Sequence, residues 1–293
     1  MAKRRPPEVH GLLVVDKPAG VTSHDVVNQA RRVVGERRIG HAGTLDPGAT
    51  GVLLLGVGSV TRLLRFLTEL GKSYAAEVVF GTETSTLDAA GEVTAVHDMS
   101  ALDPAVVRSV AAEHLTGPIM QVPPMVSALK VGGRRLHELA REGIEVEREA
   151  RPVTVHALSV EPTDDPLVYR IEVSCSSGTY VRTLAADLGH LLGGGAHLRA
   201  LRRTAVGSFG LGEAAPLADA RLLTPVEAMR DHTQIRVDDA TAAAVRVGRV
   251  LPAFEGPAPW VLVDGLGELL AVYEPFRPGE AKPSVVIAGA FDR

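Results

Sequence analysis

The 293-residue chain has one cysteine, Cys175. A single thiol cannot close an internal disulfide, which fits a reducing compartment. Hydrophobic residues at 45% and charged residues at 23% supply a core without cross-links or a structural metal. No apolar stretch is long enough to span a bilayer. The start, Met1–His10, is basic at Lys3, Arg4 and Arg5 and proline-rich, and no long apolar run follows it. It does not read as a secretory signal, so a cytoplasmic location away from membranes is expected. Cofactor motifs are missing as well. Gly71-Lys72-Ser73 looks like the end of a phosphate-binding loop, but Phe66 stands where that loop needs its first glycine, and a strand is predicted to follow. Gly193-Gly194-Gly195 follows a predicted helix, whereas a dinucleotide loop follows a strand. His137-Glu138 lacks the second histidine of a zinc-protease helix, and no Gly-x-Ser-x-Gly elbow or zinc-type Cys/His cluster occurs. Neither a metal nor a cofactor is expected.

A net charge of −4 argues at first sight against nucleic acid. The charge is segregated, however. Residues 1–72 carry 11 Lys/Arg against 6 Asp/Glu, and 182–212 carry 4 against 1. Residues 73–181 carry 8 against 16, and 213–293 carry 8 against 12. Two basic segments that converged in space would form a phosphate-binding face; apart, they are solvated surface.

Apolar patterning predicts strands at Leu12–Val15, Tyr74–Phe80, Val153–Val160 and Val168–Cys175, with extended chain over Leu198–Gly207. Helices are predicted from a cap at Thr22 or Ser23 through Val33, over Pro104–His114, Leu136–Arg141 and Tyr180–Leu192, and over Asp219–Arg230. Arg31, Arg32, Arg37 and Arg38 fall at or beyond the end of the first helix, where cations are favoured. Gln121–Lys130, with two adjacent prolines, cannot be a regular helix. From about Ile235 short apolar runs alternate with Gly and Pro, which suggests a small β-rich module. The whole reads as mixed α/β without the strict rhythm of a doubly wound sheet.

One segment stands out: His41-Ala42-Gly43-Thr44-Leu45-Asp46-Pro47-Gly48-Ala49-Thr50-Gly51. Glycines flank a carboxylate whose following proline fixes the backbone, so Asp46 can be held rigidly with room for a ligand. An isolated Asp-Pro pair is more often a local turn device. A second segment, Cys175-Ser176-Ser177-Gly178-Thr179-Tyr180-Val181-Arg182, sets an aromatic ring and a guanidinium two residues apart at a helix start. Tyr180 can stack on a base, and Arg182 can pair with a carboxylate. Each alone also reads as a surface residue.

Together these segments resemble the TruB family of tRNA pseudouridine synthases, which convert the uridine at position 55 of the T loop. Asp16-Lys17-Pro18-Ala19-Gly20, the His41–Gly51 loop, Pro123-Pro124-Met125-Val126-Ser127-Ala128-Leu129-Lys130 and Cys175–Arg182 match in order. Gly194-Gly195-Ala196-His197-Leu198-Arg199-Ala200-Leu201-Arg202-Arg203 extends the match, so the resemblance covers roughly residues 8–210. Gly48 is a departure, since relatives often carry a bulkier side chain there.

The resemblance implies an α+β pseudouridine synthase fold: a largely antiparallel mixed central sheet flanked by helices and loops, spanning 1–234 with an insertion at about 121–150, and a PUA-like RNA-binding domain over 235–293. It implies that Asp46 is the nucleophile or its equivalent and that Arg182 pairs with it. Tyr74 would lie against the target base and take part in proton transfer. Tyr180 would stack on the flipped uracil, and His41 would contact the space that the base leaves. Lys17 and Leu201 would line the site. Tyr74 as a strand core residue and Leu201 as ordinary packing are the plainer readings. The implied substrate is the T stem-loop of tRNA, and no protein partner is inferred. The chemistry agrees: the isomerisation breaks N1–C1′ and joins C5 to C1′, needing no redox partner or external energy. Competing readings are a non-catalytic RNA-binding or tRNA-chaperone protein on the same scaffold and, more weakly, a glycosidic hydrolase, for which a second loop carboxylate is not evident.

If the basic segments contact phosphates, RNA affinity falls with salt despite the acidic total. Neutralising Arg37 and Arg38 together should then reduce the slope of log affinity against log salt in a filter-binding titration. A flat slope in the wild-type protein would refute the basic-face argument.

Overall fold

A computed structural model describes residues 6–127 and 129–287; the Lys3-Arg4-Arg5 run and Ala128 lie outside them. Among the described residues no helix is long and apolar enough to cross a membrane.

The fold is built on a ten-stranded sheet in two halves. One half holds Leu222–Leu223, Gly11–Lys17 and Thr50–Val57, with Ile39–Ala42 also paired to Thr50–Val57. The other runs Ala196–Val206, Lys72–Phe80, Val168–Cys175, Arg151–Pro162 and Gly117–Gln121, with Phe209–Gly210 also paired to Ala196–Val206. Every strand pairing in it is antiparallel except the one that joins the halves, Thr50–Val57 with Ala196–Val206. That parallel seam has only two rungs, Arg202 to Thr50 and Arg203 to Gly51. The chains approach so closely there that a Cβ on Gly51 (φ 100°) would lie 2.1 Å from the Arg203 carbonyl oxygen, so only glycine fits.

Local sequence explains most elements. Helix Ser23–Val34 starts from a capping box in which Thr22 and Asp25 satisfy each other's backbone N–H groups, and it ends at Gly35 in the left-handed region. It buries Val26, Val27 and Ala30 against Leu13, Val15, Leu53 and Leu55 on one face of the first half-sheet. Helix Pro104–His114 starts with an Asp103 cap and Pro104 in its first turn. With helix Val181–Leu191 it covers one face of the second half-sheet, over Ala76, Val78, Phe80, Ile171 and Val173.

The expected helix over Asp219–Arg230 is not formed. Leu222–Leu223 pairs with Leu12 and Leu13 at the sheet edge, and only Pro225–Ala228 is helical. Pro225 disfavours helical backbone at Thr224, and Thr224 instead caps the short turn with Glu227. The C-terminal region forms a second, five-stranded sheet of Thr233–Arg236, Trp260–Val263, Leu269–Pro275, Glu280–Val286 and Leu251–Pro252. It also carries a helix, Asp239–Arg246, capped by Asp238, which the β-rich reading of this region did not place.

This second sheet shares a core with the first. Val261, Val263, Leu269, Val272 and Val285 join one cluster with Leu12, Val14, Val52, Leu54, Phe66 and Leu67. Around it Arg62 donates to the Val286 carbonyl at 2.6 Å, and Arg65 reaches Glu274 and Ser284. Helix Leu64–Glu69 is therefore the shared wall.

Truncating Phe66 in that wall should cost about 3–5 kcal/mol. Trp260, the single tryptophan, sits in the second sheet and reports on it alone. Phe66→Ala should lower the midpoints of Trp260 fluorescence and of far-ultraviolet dichroism together in a urea titration. A shift in one signal without the other would show that the two sheets unfold independently.

Candidate active site

The seam between the half-sheets opens into a cavity of about 440 Å³. Asp46, Tyr74, Tyr180, Arg182 and Leu201 line it, joined by Lys72, Ser127 and Arg203. Five of the seven expected residues, from four separate chain segments, thus converge on one pocket.

Asp46 sits on a loop pinned from below. The Ser23 hydroxyl accepts from Leu45 N (2.9 Å) and donates to Leu45 O (3.1 Å). The Pro47 carbonyl accepts from Gly20 N at 2.8 Å and from the Lys17 ammonium at 3.3 Å. Gly43 (φ 86°) makes the turn into the loop. Gly48 has an ordinary φ and open space around it, so its departure from the family pattern places no demand on the loop.

Arg182 is the second residue of helix Val181–Leu191, at the end where the helix dipole disfavours a cation. Its partners offset that. Nη1 donates to the Thr86 carbonyl (2.9 Å) and Nη2 to the Val126 carbonyl (2.7 Å). Nε lies 3.1 Å from Asp46 Oδ2 and 3.7 Å from the Asp88 carboxylate, with a longer 3.4 Å approach from Nη2 to Asp46 Oδ1. The Arg182 side chain is 5% exposed and that of Asp46 38%, so the carboxylate, not the guanidinium, faces an incoming ligand.

The electrostatics of Asp46 are contested. Burial pushes its carboxyl above the ordinary range, Arg182 pulls it back, Asp88 pushes it up again, and Lys17 pulls it down; the balance is upward. Tyr74 packs against the cores of both halves, and burial raises its phenol, opposed by Arg203. Burial also raises the phenol of Tyr180, which hydrogen-bonds with Ser127.

The structure does not bring Lys17 or His41 into the lining. Lys17 is fully buried, and its ammonium donates to the carbonyls of Pro18, Val21 and Pro47. It holds the loop of Asp46 from behind rather than presenting charge to a ligand. His41 is half-buried on Ile39–Ala42, where burial and then the charge of Arg203 keep its imidazole below the usual value and neutral.

Sequence reasoning gave no role to Arg203 or Lys72. Arg203, 1% exposed, donates to the Val52 carbonyl (2.7 Å) and the Gly43 carbonyl (3.2 Å) and hydrogen-bonds with Tyr74. Its signal was the alternation in Arg202-Arg203. One arginine must face away from the other, and Arg202 pairs bidentately with Asp16 at 3.0 and 2.7 Å on the opposite face. Burial, with Arg203 nearby, pulls the buried Lys72 ammonium down to about 8. A larger cavity, about 770 Å³, lies between Pro6–Val9 and Arg31–Arg38. It is lined by arginines, prolines and the carboxylates of Glu8 and Glu36, and has none of the tyrosines that line the seam pocket.

Two family descriptions match the chain: "TruB family pseudouridylate synthase (N terminal domain)" over residues 31–181, and "tRNA pseudouridylate synthase B C-terminal domain" over 182–234. A tRNA pseudouridine synthase B of Symbiobacterium thermophilum is 50% identical over 254 residues, 84% of each chain. One from Aromatoleum aromaticum is 44% identical over 290 residues, 96% of this chain and 93% of that one. The chain belongs to the TruB family of pseudouridylate synthases. As a member it is an isomerase. Solved structures at lower identity share the fold. They include an H/ACA RNP bound to a substrate RNA (TM-score 0.71, 21% identity, 96% of this chain and 86% of that one) and a Cbf5-Nop10-Gar1 complex (TM-score 0.72, 23% identity, 94% and 83%).

For a synthase that needs Asp46 ionised, activity is lost as pH falls through the raised value of that carboxyl. The acid limb of the single-turnover rate should therefore lie above the range of an ordinary carboxylate. Arg182→Gln removes the largest influence holding Asp46 down and should move the limb further upward. A limb that stays in place would separate Arg182 from the ionisation of Asp46.

Proposed function

We propose that this chain converts the uridine at position 55 in the T loop of tRNA to pseudouridine, with Asp46 as the catalytic carboxylate. The observation that carries the reading is the ionic pair at the seam. A partly open carboxylate and a buried guanidinium sit beside two tyrosines in a cavity of nucleotide size.

A base inside a folded loop must leave its stack, at a cost of a few kcal/mol. Tyr180 at the pocket wall offers a stacking face worth about 1–3 kcal/mol by comparison with single-strand binders. Asp46 then attacks or stabilises the electron-poor centre formed as N1–C1′ breaks. The uracil turns within the pocket and C5 joins C1′, displacing the carboxylate if it has bonded there; the C5 proton departs and N1 gains one. Tyr74, kept protonated by burial and bonded to Arg203, is positioned to move a proton at the base edge. Leu201 supplies an apolar wall. Lys17 braces the Asp46 loop through the Pro47 carbonyl, and His41 contacts the RNA loop where the base has left it. Residues 1–234, with the insertion at about 121–150, form the catalytic domain in this reading, and 235–293 a PUA-like RNA-binding domain; strand Thr233–Arg236 crosses that boundary.

Arg182 separates an enzyme from a binder. Lysine keeps the charge but loses the planar fork that holds Asp46 and two carbonyls at once. Arg182→Lys should bind RNA nearly as well as wild type and lose about a hundredfold or more in single-turnover rate, the scale of an electrostatic group in an active site. Asp46→Ala should abolish conversion while sparing binding. Both are measured with an unmodified tRNA transcript, by filter binding and by nucleoside mass mapping after pseudouridine-specific derivatisation. An Asp46→Ala protein that still converts bound tRNA at the wild-type rate would sink the proposal, and pseudouridine at another position would sink the assignment to the T loop.

A further inference from the structure

We propose that Gln121 is a positioning residue whose buried amide sets the first turn of helix Val181–Leu191 and so aims Arg182 at Asp46. The inference rests on the catalytic reading of Asp46 and Arg182 given above.

Gln121 is the last residue of the edge strand Gly117–Gln121 and is 2% exposed. Its amide takes both peptide groups of a single residue. Tyr180 N donates to Oε1 at 2.7 Å, and Nε2 donates to Tyr180 O at 3.1 Å. The orientation of the amide is forced, because a backbone N–H needs the oxygen and a carbonyl needs the nitrogen. Tyr180 is the residue at which extended chain (φ −101°, ψ 108°) becomes helix, and it makes no side-chain cap of its own. An uncapped helix start normally frays or finds an outside partner. Gln121 is that partner, reaching from another strand.

Arg182 follows two residues later, and its guanidinium leaves little tolerance. It must meet the Thr86 and Val126 carbonyls and Asp46 together. A rotation of the Tyr180 peptide would carry the root of Arg182 with it, trading the 3.1 Å contact with Asp46 against the 3.7 Å approach to Asp88. The same short stretch supplies other contacts, since Val126 accepts from Arg182 and Ser127 bonds with the Tyr180 phenol. Gln121 alone among them fixes the main chain from which both side chains spring.

The test compares wild type, Gln121→Leu, Arg182→Lys and the double variant by single-turnover conversion of a tRNA transcript, equilibrium RNA binding and the acid limb of the rate. Gln121→Leu should lower the rate about tenfold or more, leave affinity within about twofold, and move the acid limb upward as Arg182 loosens from Asp46. On the Arg182→Lys background the same change should cost less than about threefold, because residues acting through one group are not additive. Gln121→Glu, equal in size, keeps the acceptor for Tyr180 N and loses the donor. It gives the same readouts if the leucine variant does not fold. An unmoved acid limb, or a rate loss that multiplies in full with that of Arg182→Lys, would reduce Gln121 to general support of the fold. If wild type converts the transcript and Gln121→Leu matches it, this inference alone fails; if wild type itself does not convert it, the reading of function fails instead.

Discussion

The structure turns on the two-rung seam between its half-sheets. Parallel pairing over Arg202–Thr50 and Arg203–Gly51 is too short to hold two layers by backbone bonds alone. The two arginines complete the joint from opposite faces. Arg203 reaches through to the carbonyls of Val52 and Gly43, and Arg202 clamps Asp16 and touches Thr50. A guanidinium suits this task because its fixed fork satisfies several acceptors at once and stays charged even when buried. Burying Arg203 without those acceptors would be costly, so the glycines that bring the chains close are part of the same device.

The seam pocket exists because of that joint. Asp46 belongs to the first half, through a loop pinned by Ser23, Gly20 and Lys17. Tyr74, Tyr180, Arg182 and Leu201 belong to the second. Tyr74 and Leu201 pack against the hydrophobic clusters of both halves and form the floor at the line of contact. The ionic pair of Asp46 and Arg182 thus spans the seam. The balance of burial, Arg182 and Asp88 on the carboxyl of Asp46 is set by how the halves meet rather than by either one.

Much of this was legible in the chain because it is local. Thr22 with Asp25 announces one helix, and Asp103-Pro104 another. The Gly-framed Asp46 and the Tyr180–Arg182 pair carry their chemistry in short segments. Most of what escaped was non-local. Lys17 read as a site-lining cation because the distant Pro47 carbonyl it meets does not show in its own segment, and Arg203 drew no role because the carbonyls of Val52 and Gly43 lie far from it in sequence. The helix Asp239–Arg246 was lost in a region judged by its strands, although Asp238 before an alanine-rich run was a usable signal. Leu222–Leu223 took the sheet edge that a helical pattern had claimed, since pairing with Leu12 and Leu13 outweighs a weak helical preference broken by Pro225.

The wall shared by the two sheets has one more consequence. A module on a slack linker searches space and raises local concentration wherever it lands. Here the second sheet is seated on helix Leu64–Glu69, which runs almost directly into the strand bearing Lys72 and Tyr74. Whatever the second sheet touches is held at one set distance and angle from Asp46. Any ligand long enough to reach both would have to match that fixed spacing.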